Sequence, residues 1–330
     1  MRVVYIKEQG AYIRRVGGRI VISKNNKNLR EIPITQVEKI IVMGNVQITT
    51  QALHMVMEYG VSLSFLSYGG HYIGQAVSES SKNIFLRLAQ YERYQDSEAR
   101  CEIARRIIDA KIQNQISVIE AYRWKEKQNW KDAIQKLEEN RKKLSSKTNS
   151  SGIMGIEGIC SSIYFSCFSQ MLTCKLNFSG RNRRPPKDPV NALLSLVYTF
   201  LTIEIENALE NESFEPYLGF LHGIKYGRKS LALDLVEEFR QPVGDRLVLK
   251  LLNKRMLSEF DFQWEERRGV ILSKEGFQKF CKEFECWMSN EKENFHTIIL
   301  NQIGILKYAI QNHQEYIPYL WKGDKRDLSN

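Results

Sequence analysis

The sequence predicts an α+β protein, with a small, mainly β domain over residues 1–82 followed by a larger all-α domain over residues 83–330. Short β-rich segments separated by turn residues occupy the first quarter of the chain. After residue 82 helix-forming residues dominate and strand signals nearly vanish, which places the domain boundary there. A length of 330 residues with 43% hydrophobic residues is sufficient for two domains with real cores.

The amino-terminal strands follow from short β-rich runs bounded by turns. We expect strands over 1–7, 11–16, 19–23, 32–34, 37–43, 61–66 and 71–77. A short amphipathic helix interrupts them and ends at Gly60. We find no catalytic combination of residues in this domain, and we interpret His54 and His71 as structural.

The rest of the chain carries apolar residues at helical spacing. This spacing predicts helices over 85–94, 98–127, 130–144, 152–176, 230–241, 247–257, 274–288 and 291–312. A further helix opens at Asp188 and Pro189, which form a good N-cap and N1 pair. We expect 260–272 to be a connector and 318–330 to be a polar tail. His296 and His313 lack acidic neighbours at ligand spacing and are interpreted as structural.

Charge and cysteine usage narrow the function. Lys and Arg exceed Asp and Glu by 48 to 38, and the resulting net charge of +10 favours a polyanionic partner. The six cysteines lack the short spacing typical of zinc sites, so we interpret them as reduced and structural. No apolar run approaches the ~18 residues of a membrane span, and the amino terminus lacks a signal-peptide core. We therefore expect a cytoplasmic protein with no membrane partner.

One histidine precedes an acidic, strongly periodic segment. Ser230 is the expected N-cap of the helix over 230–241, on which Asp234 and Glu237 are three residues apart and share one face. Two carboxylates on an apolar face repel each other unless a cation or a proton lies between them. With His222 nearby, these residue types suit Mg²⁺ or Mn²⁺. The alternative is a solvated helix, with Arg240 beside the acids and an ordinary structural histidine.

A third acid lies inside an apolar helix. Glu157 stands between Gly155 and Gly158 and is surrounded by isoleucines, so its carboxylate needs a cation, a proton or a hydrogen-bond donor. The two glycines leave room for a bulky group to approach. We expect Glu157 to be a third metal ligand together with His222 and Glu237. The alternative is an acid near the helix amino terminus, favoured by the helix dipole.

A basic loop precedes the helix that opens at Asp188. Proline stiffens this loop, and its positive side chains suit phosphate binding at a helix amino terminus; they are Arg181, Arg183, Arg184 and Lys187. The helix itself carries a polar stripe, expected to face a wet site or a nucleic acid, of Asn191, Ser195, Tyr198 and Thr202. A solvated basic loop is the alternative.

Three segments resemble a known family. They are GIEG around Glu157, RRPPKDPVNALLSLVY over 183–198, and GFLHGIKYGRKSLALDLVEEFRQPVGDR over 219–246. Together with the β-to-α division near residue 82, they resemble the CRISPR-associated adaptation integrases, the Cas1 family. The resemblance implies a homodimer formed through the β domain and a complex with a small Cas2 partner. It also implies a metal site at Glu157, His222 and Glu237, with Asp234 as a further catalytic acid.

The implied reaction is phosphoryl transfer, in which the 3′-hydroxyl of captured DNA attacks a phosphodiester of the CRISPR repeat. Bound Mg²⁺ or Mn²⁺ would activate the hydroxyl and neutralise charge on the phosphate. The expected contacts to the DNA backbone are Arg181, Arg183, Arg184, Lys187, Asn191, Tyr198, Arg228, Lys229 and Arg240. Two alternatives stay open: a stand-alone metal nuclease acting on branched DNA, and a non-enzymatic DNA-binding scaffold.

Overall fold

The computed structural model describes residues 3–70, 72–76, 83–122, 128–174, 176, 178–182, 185–266 and 268–323. The amino-terminal elements are β1 (Val3–Ile6), β2 (Ala11–Val16), β3 (Arg19–Lys24), β4 (Lys27–Pro33), β5 (Lys39–Met43), β6 (Val46–Ile48), α1 (Thr50–Glu58), β7 (Ser62–Leu66) and β8 (Tyr72–Ala76). The helices that follow are α2 (Ile84–Gln95), α3 (Ser97–Ala121), α4 (Gln128–Lys142), α5 (Ser150–Met171), α6 (Pro189–Asn211), α7 (Ser230–Phe239), α8 (Arg246–Asn253), α9 (Lys274–Met288) and α10 (Phe295–Gln311).

The predicted fold class is confirmed, because a strand-rich region precedes a mostly helical one. The helical part is not purely α, since an antiparallel hairpin of β9 (Phe262–Glu265) and β10 (Gly269–Leu272) lies where we expected a connector. Gly269 adopts a positive φ of 72° at the start of β10. His71 and residues 77–82, where the predicted domain boundary falls, lie outside the described residues.

The amino-terminal strands form two four-stranded sheets, in the orders β1-β5-β7-β8 and β4-β3-β2-β6. Strand β5 lies between β1 and β7 with parallel pairing on both sides, and all five of its residues are buried. Because successive side chains of a strand point to opposite faces, Ile40 and Val42 join the core of the β region while Ile41 and Met43 join the helical core. The first sheet is therefore covered on both faces.

Helix α6 packs under this sheet and joins the two halves of the chain. The Tyr5 ring of β1 stacks on Phe200 at 5.6 Å, and Lys39 of β5 forms a buried ion pair with Glu204 at 2.5 Å. The Glu204 carboxylate also lies 3.5 Å from Nδ1 of His296, an acidic neighbour that the sequence spacing did not reveal. An apolar stack and a shared buried charge cluster thus fix the sheet against the helices.

Helix α6 is also long and apolar enough, by length and composition, to cross a membrane. Our expectation that no apolar run approaches the length of a membrane span did not account for this helix. In the structure 67% of the relevant window is buried inside the fold, and the helix carries buried acids such as Glu204 and Glu206. We therefore interpret α6 as a core helix. Its amino terminus confirms the predicted cap, since the Asp188 side chain accepts the backbone N–H of Asn191 at 2.8 Å.

The ends of α7 differ from the prediction. Ser230 is the first residue of the helix and not its N-cap; its hydroxyl donates to the Gly223 carbonyl at 3.1 Å. The helix ends at Phe239 and continues as a π-helical turn over Arg240–Asp245. Pro242 lies inside this turn, and because proline has no N–H to donate, the regular helical bonding is interrupted there.

Two aromatic side chains anchor the described carboxyl-terminal segment, although we expected a polar tail over 318–330, of which the structure describes 318–323. Tyr316 and Trp321 are buried. The Tyr316 hydroxyl donates to Oε1 of Glu238 at 2.6 Å, and the Trp321 backbone N–H donates to Oδ1 of Asn114 at 2.9 Å. These contacts tie the end of the chain to α3 and to α7. The six cysteines, all within described residues, are free, and Cys286 is exposed rather than packed.

Candidate active site

Glu157 lies in the first half of α5 and faces a buried ammonium group. The Lys111 side chain of α3 forms an ion pair with Oε1 of Glu157, and the Ser161 hydroxyl donates to the same oxygen at 2.7 Å. Burial acts to raise the pKa of Glu157, but the positive charge of Lys111 more than offsets it, and the pKa lies below its ordinary value. Glu157 is therefore ionised near neutral pH.

Glu237 of α7 approaches the same ammonium from another helix. Its Oε2 lies 2.7 Å from Nζ of Lys111, and its Oε1 lies 3.2 Å from the Arg240 guanidinium. Burial acts to raise the pKa of Glu237, but Arg240, Lys111 and His222 together lower it to about 2. Glu157 and Glu237, which we expected to share a metal ion, both pair with the Lys111 ammonium in this structure. The metal ion stays a prediction.

His222 is held by the carboxylate behind it. Its Nδ1 lies 2.7 Å from Oδ1 of Asp234, which also accepts the His222 backbone N–H at 2.9 Å. The other oxygen of Asp234 accepts the backbone N–H groups of Phe220 and Leu221 at 2.5 and 2.9 Å. With Nδ1 donating to Asp234, Nε2 is the ring nitrogen whose lone pair is available to bind a metal.

The expected pairing of Asp234 with Glu237 around one cation is therefore corrected. The two side chains diverge, because Asp234 is fully buried against the loop that carries His222 whereas Glu237 faces Lys111. Both oxygens of Asp234 already accept hydrogen bonds, so the structure gives it a positioning role. A direct catalytic role for Asp234 stays a prediction.

Mg²⁺ or Mn²⁺ fits this donor set. Two carboxylates from α5 and α7 already converge on one positive charge, and His222 adds to the effects of Arg240 and Lys111 in lowering the pKa of Glu237. Carboxylate oxygens with one imidazole are ligands that these metals accept. Among the described residues, however, no three His, Cys, Asp or Glu side chains are grouped tightly enough to hold a metal. Lys111 fills the space between the acids.

An open cleft of about 660 Å³ extends from Glu157. Its walls combine the acid, a row of hydroxyls, three aromatic rings and two guanidinium groups. The lining residues include Lys111, Glu157, Ser161, Ser162, Phe165, Ser166, Ser169, Phe178, Arg181, Tyr198 and Arg240. A Cβ added at Gly155 or Gly158 would meet nothing within 4 Å, so the helix surface at the two glycines is open. The cleft, which neither glycine lines, is the side from which a polyanion can approach the Glu157 carboxylate.

The structure brings Arg181, Tyr198 and Arg240 together with Glu157 in this cleft. The guanidinium groups of Arg181 and Arg240 lie 5.5 and 4.9 Å from the centre of the Tyr198 ring, and the Tyr198 hydroxyl donates to Oδ1 of the buried Asp245 at 2.5 Å. Burial, followed by the Asp245 charge, raises the pKa of Tyr198 well above its ordinary value. The tyrosine is therefore a neutral platform that holds both arginines at the cleft wall.

The polar stripe of α6 mainly serves the fold. Asn191 is fully buried; its amide donates to the Gly180 carbonyl at 2.9 Å, and its Oδ1 accepts from Arg181 at 2.8 Å. The Thr202 hydroxyl donates back to the Tyr198 carbonyl at 2.7 Å. We expected the whole stripe to face a wet site or a nucleic acid. Of its four residues, Tyr198 lines the cleft. In this structure Asn191 has a structural role, and its contact with DNA stays a prediction.

Of the remaining predicted DNA contacts, those that the structure describes do not line this cleft. Lys229 is held by Glu206 and Glu210, with nitrogen–oxygen distances of 3.4 and 2.8 Å, which gives it a structural role. Arg228 donates to the Gly223 carbonyl and to the Ser230 hydroxyl, so it closes its own loop. Lys187 is exposed, and Arg183 and Arg184 lie outside the described residues. Their contacts with DNA stay predictions.

Sequence reasoning missed Lys111 and Ser161. Lys111 is 2% exposed, and its signal was available, because it follows Ile108 by three residues on the buried side of α3. A lysine on an apolar stripe requires a buried acid as its partner. Ser161 follows Glu157 by one helical turn, which is the spacing at which two side chains on a helix meet.

The chain is similar to known proteins in sequence and in fold. A family model described as CRISPR associated protein Cas1 matches residues 4–286. The CRISPR-associated endonuclease Cas1 3 of Thermus thermophilus is 33% identical over 329 residues, which cover 96% of each chain. A CRISPR-associated exonuclease Cas4/endonuclease Cas1 fusion of Geobacter sulfurreducens is 34% identical over 304 residues, covering 87% of this chain and 53% of the fusion.

Solved structures share the same fold. A Cas1 protein from Thermotoga maritima superposes with a TM-score of 0.84 and 26% identity, covering 98% of this chain and 100% of that one. A casposase bound to its integration product gives a TM-score of 0.87 at 22% identity, covering 100% and 96%. A chain of a Cas6-RT-Cas1–Cas2 complex gives 0.82 at 24% identity, covering 97% of this chain and 36% of that one.

Proposed function

The chain belongs to the Cas1 family of CRISPR-associated proteins, and from this premise we propose that it is a metal-dependent DNA endonuclease and integrase of CRISPR adaptation. The observation that carries the proposal is the convergence of Glu157 and Glu237, from separate helices, on one buried positive charge beside an open cleft. The names of the relatives support nuclease activity, and the fold shared with a casposase bound to its integration product supports strand joining.

Glu157, Glu237 and Nε2 of His222 are the groups that would hold Mg²⁺ or Mn²⁺. When bound there, the ion supplies Lewis-acid activation of the attacking hydroxyl and neutralises charge on the phosphate. Asp234 keeps the imidazole oriented through Nδ1, as second partners of metal-binding histidines commonly do. Arg240 holds Oε1 of Glu237 and so limits the orientations open to that carboxylate.

The substrate is DNA, and the cleft is where we place its reacting strand. The 3′-hydroxyl oxygen of the captured DNA forms a new bond to a phosphorus atom of the CRISPR repeat while the bond from that phosphorus to its 3′-oxygen breaks. Water in place of the hydroxyl gives cleavage. Arg181 and Arg240 line the approach to Glu157 and would neutralise backbone charge, which positions the strand without reading its sequence.

Binding to DNA should depend strongly on salt. With a net charge of +10 and about six phosphates neutralised, the logarithm of affinity should fall with the logarithm of salt concentration with a slope near −5. A fluorescence-anisotropy titration at several salt concentrations measures this slope. A slope close to zero would show that the basic side chains do not contact DNA phosphates.

The partners of the active particle are also proposals. We infer a homodimer formed through the β region, bound to a small Cas2 protein and to both the captured DNA and the repeat, acting in the cytoplasm. The fold shared with a chain of a Cas6-RT-Cas1–Cas2 complex supports the Cas2 partner. Size-exclusion chromatography with light scattering tests the dimer, and co-purification with Cas2 tests the complex.

The decisive experiment measures strand joining and cleavage on one branched DNA substrate in Mg²⁺ and in Mn²⁺, with and without Cas2. Glu157→Gln and His222→Ala should abolish both reactions at unchanged DNA affinity, since they remove metal ligands. His54→Ala, an exposed histidine of α1, is the matched control and should behave as wild type.

The outcomes separate three functions. Loss of joining and cleavage in both site variants, with joining that requires Cas2, supports the integrase. Cleavage without joining under every condition would instead show a stand-alone nuclease. Absence of both reactions in the wild-type protein under every condition would leave a DNA-binding scaffold whose acids are structural. Full activity in Glu157→Gln and His222→Ala would remove these two residues from the active site.

A further inference from the structure

Lys111 is the buried group that the proposed reaction does not use. Its side chain leaves α3 on the apolar side and is 2% exposed, yet it carries an ammonium group. A buried charge is tolerated only when it is paired, and here Glu157 and Glu237 both contact it. The lysine therefore stands between the two acids that the proposed metal requires.

The charges around Lys111 balance without a metal. Glu157 and Glu237 contribute two negative charges, and Lys111 and Arg240 contribute two positive ones. Glu157 contacts the ammonium, and Glu237 contacts both the ammonium and the Arg240 guanidinium. A divalent ion added to this set would leave it with two excess positive charges, so the ion and the ammonium oppose each other.

We propose that Lys111 is a built-in counter-cation that competes with the divalent metal for Glu157 and Glu237 and so sets the metal affinity of the site. This inference rests on the proposed function, because it assumes that the two acids are metal ligands. Lys111 itself lines the open cleft, so its flexible side chain has space into which it can move when the metal binds. There the displaced ammonium faces the region where we place the DNA phosphates.

A purely structural lysine makes a different prediction. If Lys111 only holds α3, α5 and α7 together, removing its charge weakens the fold and loosens the carboxylates, so metal affinity falls. If it competes with the metal, removing its charge leaves an uncompensated acid pair that binds the metal more tightly. The sign of the change in metal affinity therefore decides between the two roles.

The test measures Mn²⁺ affinity of the full-length, metal-free protein by competition with a fluorescent chelator. Lys111→Met keeps most of the length of the side chain and removes its charge, and we expect it to bind Mn²⁺ at least about tenfold more tightly than wild type because a repelling charge is lost. Lys111→Arg retains the charge and should not bind more tightly. Lys39→Met, which breaks a buried lysine–glutamate pair that does not line the cleft, controls for loss of stability alone.

Each result has a definite meaning. Unchanged or weaker Mn²⁺ binding by folded Lys111→Met overturns the competition. If this variant is insoluble without metal, refolding in Mn²⁺ that restores it supports the proposal, and failure of Mn²⁺ to do so overturns it. The proposed metal site fails separately if Glu157→Gln does not weaken Mn²⁺ binding in either the wild-type or the Lys111→Met background.

Discussion

The ion pair between Lys39 and Glu204 should be a main determinant of stability, because it joins the sheet to the helical core and both side chains are buried. Burial acts to raise the pKa of Glu204, but Lys39 and His296 together lower it from 4.5 to about 2. Each tenfold change in a proton-binding constant is worth about 1.4 kcal/mol, so the charged form of Glu204 contributes about 3 kcal/mol at neutral pH.

Glu204→Gln should therefore lower the free energy of unfolding by about 3 kcal/mol at pH 7, since Lys39 is left buried without its ionised partner. The direction of the pH dependence of stability follows because the pKa of Glu204 is lower in the folded state than its ordinary value. The stabilisation is complete above pH 4.5 and is lost as the pH falls toward 2. The difference between wild type and variant should accordingly narrow as the pH is lowered from 6 to 3.

Urea denaturation followed by circular dichroism measures these differences. Glu212→Gln is the matched control, because Glu212 pairs with Lys307 at a similar distance of 2.8 Å on the surface, and the change should cost less than about 1 kcal/mol. Lys39→Met combined with Glu204→Gln should be more stable than the sum of the two single changes predicts. Equal losses for Glu204→Gln and Glu212→Gln, or strict additivity, would refute this account of the pair.

Two further substitutions test the loop that carries the histidine and the carboxyl-terminal segment. A Cβ at Gly219 would lie 2.8 Å from Oδ2 of Asp234, so Gly219→Ala should displace the loop and reduce the rate of strand joining at least about tenfold. Gly223→Ala is the control, because a Cβ at Gly223 would meet nothing within 4 Å. Equal joining rates for the two variants would contradict the clash. Tyr316→Phe loses a hydroxyl that bonds the buried carboxyl group of Glu238 on α7, which should cost about 1–3 kcal/mol in urea denaturation. Tyr308 is exposed, so Tyr308→Phe should change the free energy of unfolding little. An equally large loss in both variants would show that the hydrogen bond from Tyr316 to Glu238 does not account for the effect.

The sequence carried information wherever the signal was local. Strand and helix periodicity separated the β region from the helical region, and Asp188 with Pro189 marked the start of α6 correctly, because caps depend on neighbouring residues. Glu157 was recognisable as an acid that needed a partner, since an ionised carboxylate within an apolar helix is unfavourable on its own.

Tertiary structure decided which groups these residues meet. Asp234 and Glu237 share a helix, yet Asp234 bonds the loop that carries His222. Glu237 instead pairs with Lys111, which lies 126 positions before Glu237 in the chain. Partners so far apart leave no trace in spacing, because their contact depends on how α3, α5 and α7 pack. The sequence by itself thus determined which chemical groups were available, and the packing of the helices determined which charges neutralise one another.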